Sequence, residues 1–396
     1  MITYDRLTPE QDRVLEAPLD HPLVVSGPVG SGRSTAAIYR GLLRVATGHS
    51  VLIVVPDLLR KFRLVKLLGD RVGDRFRVLT VSELPGVLLP GSIPVRYGED
   101  DAWVELTMRA VERHVQRVSG GWAVLFDDAH DQPLRALEFA RLFDPAVTIT
   151  VDPDALVSGA NLGRPAVQEL VRVQAWNHVE LSHSQRLLPT AAQLIAALRV
   201  RPIIQTSRTS NEPALCLLAA GQTALAAYVG HLARRDRRQR IAIACLRRPQ
   251  FTELSARLRR VVDEGRYVPV FGGITPAPTA RSAGAVVQLC DIRTLRGNEF
   301  DVVVIAGLSD RSDRPDNEKL TDALARACGA ARSTVVFTTE DLVMPRLLAG
   351  LPSVDANTLQ VHGIRDVLAA AAPARRPVAK PAVGANLPVT HGRDER

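Results

Sequence analysis

Aromatic side chains are scarce in this chain. Phenylalanine, tyrosine and tryptophan make up 4% of its 396 residues, and tryptophan occurs only at Trp103, Trp122 and Trp176. A surface that holds single strands by stacking bases on rings has little material to draw on. Cysteine is rarer still: Cys216, Cys245, Cys290 and Cys328 stand singly in apolar surroundings, without C-x-x-C or metal-ligand spacing. That pattern argues against a disulfide framework or a structural zinc site and predicts buried thiols in a reducing, cytoplasmic setting. No apolar run approaches the ~20 residues that span a bilayer, so no membrane role is expected. The opening Met1-Ile-Thr-Tyr-Asp-Arg6 does not have the form of a secretory signal. Acidic residues are outnumbered, 42 against 50 Lys and Arg, which leaves a formal charge of +8 and a pI near 9.8. Such a balance suits an anionic partner, nucleic acid first.

Apolar residues are plentiful, at 46%, and the length suits two or three domains with real cores. One stretch organises the rest. Leu23-Val-Val-Ser26 reads as a strand, Gly27-Pro-Val-Gly-Ser-Gly32 as a tight turn, and Arg33-Ser-Thr-Ala-Ala-Ile38 opens a helix. Strand, Gly-rich loop and helix form the arrangement in which backbone N–H groups and a helix N-terminus converge on a phosphate. Gly27, Gly30 and Gly32 permit the turn and the close approach, and Ser34 stands where a Mg²⁺-binding hydroxyl belongs. The pattern G-x-x-x-x-G-K-[ST] asks for Lys where this chain has Arg33.

Upstream, Thr8, Pro9 and Gln11 predict a capped helix over 7–16. Downstream, Val51–Val55 and Phe76–Ser82 read as strands, 58–68 as a helix, 84–98 as a Pro/Gly loop and 101–118 as an amphipathic helix. Trp122-Ala-Val-Leu-Phe-Asp-Asp128 places two carboxylates at the C-terminal edge of a buried strand, where α/β sheets hold their ligands. Val147–Asp154 repeats the device with Asp152. The polar stretch 201–213 reads as a crossover into a second domain, where strands at 241–245, 285–289, 301–305 and 334–338 alternate with helices at 223–234, 250–262 and 320–327. The expected fold is α/β: two doubly wound parallel sheets over 1–200 and 201–368, with a disordered Pro/Ala/basic tail over 369–396. The run Arg234–Arg240 reads as a solvated helix end whose cations complement the helix dipole.

The order of these motifs resembles the UvrD-like branch of superfamily 1 DNA helicases over roughly residues 5–340. Leu7-Thr-Pro-Glu-Gln11 matches the family's adenine-reading glutamine motif, and Val54-Val-Pro56 and Val78–Ser82 resemble its DNA-contacting segments. Asp127-Asp-Ala-His-Asp131 stands where the family has Asp-Glu-Ala-Gln-Asp, Val151-Asp-Pro-Asp154 where it has Gly-Asp-Pro-x-Gln, and Gln185-Arg186 where it has Tyr-Arg. Asp291–Phe300 resembles Thr-x-His-x-x-Lys-Gly-x-Glu-Phe, and Ala325-Arg326-Ala327 resembles Thr-Arg-Ala.

The resemblance implies a pair of RecA-like P-loop NTPase domains binding ATP and Mg²⁺. Gln11, Gly27, Gly30, Ser31, Gly32, Arg33, Ser34, Thr35 and Glu299 would hold the nucleotide, and Ser34 and Asp127 the metal. Asp128 would orient the attacking water, and Arg186 and Arg326 would meet the γ-phosphate. Single-stranded DNA would bind weakly near Thr80, Ser82 and Arg293. Two departures open an alternative. The branch's large accessory insertions are missing, and the polar letters are eroded: Arg33 for Lys, Asp128 for Glu, His130 and Ala155 for the sensing glutamines, Asp291 and Arg293 for Thr and His. One reading is a reduced motor driven by ATP hydrolysis. The other is a catalytically impaired pseudo-helicase, a nucleotide sensor or scaffold for a protein partner.

Overall fold

The computed structural model describes residues 7–95, 100–113, 121–155, 164–209, 212–270, 287–295, 298–309, 318–351 and 357–371. The first half builds one sheet from β1 (Leu23–Ser26), β2 (Ser50–Val55), β3 (Phe76–Thr80), β4 (Trp122–Phe126), β5 (Thr148–Val151) and β6 (Asn177–Glu180). Its strands run parallel in the order β3-β2-β4-β5-β1-β6. Around them lie α1 (Pro9–Glu16), α2 (Arg33–Ala46), α3 (Leu58–Leu68), α4 (Leu84–Leu88), α5 (Asp100–Glu112), α6 (Leu134–Arg141) and α7 (Arg164–Arg172).

The central strands β2 and β4 are almost wholly apolar because both of their faces are covered. Along β2, Leu52 and Val54 enter a core shared with Trp103, Phe126 and Phe139, while Val51, Ile53 and Val55 enter another with Ile38, Leu64 and Leu125.

A short pair, β7 (His183–Ser184) with β8 (Gln205–Thr206), flanks α8 (Pro189–Arg199) and leads into the second sheet. That sheet holds β9 (Ala214–Leu218), β10 (Ile241–Cys245), β11 (Tyr267–Val270), β12 (Val287–Asp291), β13 (Phe300–Leu308), β14 (Ala331–Thr339) and β15 (Leu359–Gly363). They too run parallel, in the order β11-β12-β10-β13-β14-β9-β15. Its helices are α9 (Gln222–Arg235), α10 (Arg248–Val261), α11 (Glu318–Ala330), α12 (Arg346–Ala349) and α13 (Ile364–Ala371). The fold is the expected α/β pair of parallel sheets flanked by helices.

Several local expectations are revised. Residues 84–88 form α4 rather than loop, since Pro85 lies in the first turn, where its missing N–H costs nothing. The helix expected over 101–118 runs from Asp100 to Glu112, and 114–120 lie outside the described residues. Strands β6 and β15 have mixed polarity because they are edge strands. Helix α8, which lies before position 200, packs with Phe300, Leu324 and Phe337 of the second unit. Helix α13 runs to Ala371 and so takes up the first three residues of the expected tail. The rest of the tail lies outside the described residues.

The four cysteines are buried, and burial pushes the thiols of Cys216 and Cys328 up to about 11 and about 12. Trp103 and Trp176 are buried as well. Among the described residues, no helix is long and apolar enough to cross a membrane.

Candidate functional site

Ser26, the last residue of β1, lies in register with Val151 and Glu180 of its two neighbours. The chain therefore leaves three adjacent strands at one level, and Gly27 turns against Leu181. A Cβ on Gly27 would stand 2.5 Å from the Leu181 carbonyl oxygen, so only glycine fits. Gly30 and Gly32 have φ of +80° and +89°, the left-handed region that glycine enters freely. Helix α2 begins at Arg33, so the unpaired N–H groups of its first turn face the loop.

Helix α1 is stapled beneath this loop. Thr8 and Gln11 exchange hydrogen bonds in a capping box, Gln11 Oε1 accepting from Thr8 N–H at 3.0 Å. Arg40 of α2 donates to the carbonyls of Val14, Ala17 and Pro18 at the other end of α1. Gln11 Nε2 then donates to Ser31 O at 3.0 Å. Both ends of the amide expected to read adenine are thus engaged with α1 and the phosphate loop.

A cleft of about 580 Å³ lies between the sheets, over the loop. It gathers Gln11, Gly30, Ser31, Gly32, Arg33, Ser34, Thr35, Asp128, Arg186, Glu299 and Arg326 into one lining, with His130, Asp131 and Asp152. Gly27 and Asp127 lie just behind it. Eight arginines and four carboxylates line the cleft, an electrostatic setting for an anion. Three buried donors in it have no hydrogen-bond partner among the described residues: Ser31 Oγ, Arg33 Nε and Arg186 Nε. Buried polar groups are rarely left so, and all three are donors of the kind that a phosphate oxygen accepts from. The residues present fit a nucleotide's phosphates.

Arg33 does not lie as a lysine would. Its Nη1 donates to the Pro28 carbonyl at 2.7 Å and also to that of Gly27, and its Nη2 lies 3.4 Å from Asp128 Oδ1. Asp128 itself adopts the left-handed conformation, φ 53°. Burial works against ionisation of Asp128, but Arg60, His130 and Arg33 outweigh it and hold the carboxyl below its usual range.

The expected metal ligands do not fit a metal ion. Asp127 Oδ1 accepts from Ser34 Oγ at 2.6 Å and from Thr150 Oγ1 at 3.1 Å. Its Oδ2 accepts from Arg60 Nε at 2.9 Å and Nη2 at 2.6 Å, and the same Nη2 donates to Ser34 Oγ at 2.7 Å. The guanidinium of Arg60, a residue 6% exposed, thus donates to both of the groups that would coordinate Mg²⁺. Expelling it would forfeit three charge-assisted hydrogen bonds of about 1.5–3 kcal/mol each. Burial opposes the charge on Arg60, yet Asp127 and Asp128 outweigh burial and raise its proton affinity further.

Ion pairs close the cleft. Arg186 Nη1 donates to Glu299 Oε1 at 2.5 Å and Nη2 to Gly329 O at 2.8 Å. Glu299 also takes Arg63 of α3 at 2.6 Å and Arg332 of β14. Burial would raise the Glu299 carboxyl, but Arg186, Arg63 and Arg332 hold it well below the usual range. Arg326 reaches Asp131 at 2.7 Å and Asp322 at 2.5 Å, and Arg199 reaches Asp152 at 3.2 Å and Asp322 at 3.0 Å. Burial would also raise Asp152, but Arg199, Arg33 and His130 bring its carboxyl down to about 2. His130 Nδ1 accepts from Asp152 N–H at 3.1 Å, which fixes the ring in place.

Every residue expected to hold the nucleotide or the metal, or to act on the γ-phosphate, thus lies in or against one cleft. Arg60, Arg63, Arg199 and Arg332 were not anticipated. The available signal was the placement of Arg60 and Arg63 three residues apart at the start of the helix leaving β2, on the ligand-bearing sheet edge. The polar groups of Thr80 are engaged by Ser82 and Glu83, and the side chain of Arg293 lies outside the described residues.

No family model matches the chain, and no curated protein matches it. Among solved structures it is similar to the PRRSV helicase, at 11% identity and a TM-score of 0.40, over 83% of this chain and 54% of that one. It is similar to Arterivirus nonstructural protein 10, a helicase in complex with DNA, at 12% and 0.40, over 87% and 65%. A third is the DUF1998 helicase MrfA bound to DNA and AMPPNP, at 12% and 0.46, over 84% and 48%. The chain spans between about half and two thirds of the length of these proteins.

Proposed function

We propose that this chain is a nucleotide-binding protein of the helicase type, with UvrD-like motif order, whose cleft receives the phosphates of ATP. The observation that carries the reading is the β1–α2 loop with its three unpartnered donors, Ser31 Oγ, Arg33 Nε and Arg186 Nε, in an arginine-lined cleft. Ion pairs from Arg199, Arg326 and Arg63 cross the same cleft, so phosphates bound there would alter how the two units are held together.

Of the two readings of the eroded motifs, the nucleotide sensor or scaffold is favoured over the hydrolytic motor. Ser34, Asp127 and Asp128 are all engaged by arginines, and Asp128 is one methylene shorter than the expected base. DNA remains the proposed polymer partner, bound weakly through its phosphates.

Calorimetric titration of the purified chain with ATP tests the reading. Binding should be measurable at millimolar nucleotide or below and lost in Gly32→Val, whose Cβ would stand 2.0 Å from Gln11 Nε2 at a φ of +89°. Circular dichroism confirms that the variant is folded. No heat from the parent chain would end the proposal.

A further inference from the structure

The groups that should hold a metal ion are already bonded to a cation that belongs to the chain. Ser34 and Asp127 are the pair that the phosphate-loop arrangement assigns to Mg²⁺. The guanidinium of Arg60 touches both, within 2.9 Å, and its Nη2 lies 3.6 Å from Asp128 Oδ2. The position is built rather than incidental. Asp57 caps α3 by accepting from the Arg60 N–H at 2.9 Å, which fixes the residue at the start of its helix. Lys61, the next residue, is held by Glu83 at 2.7 Å. Arg63, one turn on, is held by Glu299 of the second unit at 2.6 Å.

Charge agrees with geometry. Two guanidinium cations, Arg33 and Arg60, face two carboxylates, Asp127 and Asp128, so this part of the site is neutral without a metal. Mg²⁺ demands oxygen ligands at about 2.0–2.1 Å in an octahedron. Neither Ser34 nor Asp127 can supply one while Arg60 donates to it.

We infer that Arg60 is a resident cation in place of the divalent metal, and that the cleft takes nucleoside triphosphate free of Mg²⁺. This rests on the nucleotide-binding reading above. A phosphate on the loop would meet the guanidinium face of Arg60 where it would otherwise meet the ion. Helix α3, which also carries Arg63 to Glu299, would join that contact to the second unit.

The test is ATP titration of the full chain, once in EDTA and once with saturating Mg²⁺, together with electron paramagnetic resonance of Mn²⁺ in the presence of ATP and protein. The expected result is an affinity in EDTA at least equal to that with Mg²⁺, and no protein-bound Mn²⁺ signal. Arg60→Ala should weaken binding in EDTA by about tenfold or more, the factor that loss of one charge-assisted hydrogen bond produces. Mg²⁺ should restore it. Arg60→Lys, which keeps a charge beside Asp127, should retain metal-free binding if the alanine variant fails to fold. Binding by the parent chain only with Mg²⁺, or a bound Mn²⁺ signal, would overturn the inference and leave the nucleotide reading standing. No binding under either condition would instead remove the nucleotide reading itself.

Discussion

Replacing Arg199 by alanine should destabilise the protein by about 3 kcal/mol or more at neutral pH, and most of that loss should vanish in acid. Arg199 leaves the end of α8 and divides its guanidinium between Asp152 at 3.2 Å and Asp322 at 3.0 Å, all three side chains less than a tenth exposed. Removing one partner of a buried ion pair costs about 3–5 kcal/mol, because the other charge stays buried and unpaired. The direction in which the Asp152 carboxyl shifts agrees with this. It lies at about 2 against an ordinary 3.8, with Arg199 the foremost of the cations that overcome burial. A depression of nearly two units, at about 1.4 kcal/mol per unit, stabilises the charged form by about 2–3 kcal/mol.

The folded value lies below the unfolded one, so this stability is present above about pH 4 and lost as the pH falls toward 2. In Arg199→Ala burial acts with less opposition and raises the Asp152 carboxyl, so protonation relieves the variant first. The gap between parent and variant should be widest above pH 5 and narrow steadily toward pH 3. Urea unfolding at a series of pH values measures it. Arg199→Lys keeps the charge but loses the fork and should recover part of the stability. A gap below about 1 kcal/mol at pH 7, or one unchanged at pH 3, would refute the argument.

Two further outcomes follow from the same geometry. Restoring the expected letters by Arg33→Lys with Asp128→Glu should leave steady-state phosphate release flat, with or without single-stranded DNA, because Arg60 still engages Ser34 and Asp127; a rise of about tenfold would show that these two letters alone limit turnover. Labelled single-stranded DNA should bind weakly, with log K falling by about 0.7 per neutralised phosphate as log salt rises; tight binding insensitive to salt would reveal a stacking surface that the buried Trp103 and Trp176 do not supply.

The sequence by itself determined the two sheets and the glycine-rich turn between β1 and α2. Strands buried on both faces are written as unbroken apolar runs, as in Val51–Val55 and Ile241–Cys245, and such runs need no knowledge of their neighbours. Gly27, Gly30 and Gly32 were legible because a tight turn restricts the residue locally, and Asp127 and Asp128 because a strand end does. The edge strands β6 and β15 were not legible, since one side of each is open and their composition mixes polar with apolar. Least legible was the pairing of charges. Arg60, Arg63 and Arg199 look like ordinary solvated arginines within amphipathic helices. Only the tertiary structure decided their partners, by bringing α3 over the ends of β1 and β4 and the second unit over both. A guanidinium on a long, flexible side chain commits to a carboxylate where folding has excluded water, and the sequence does not show where that is.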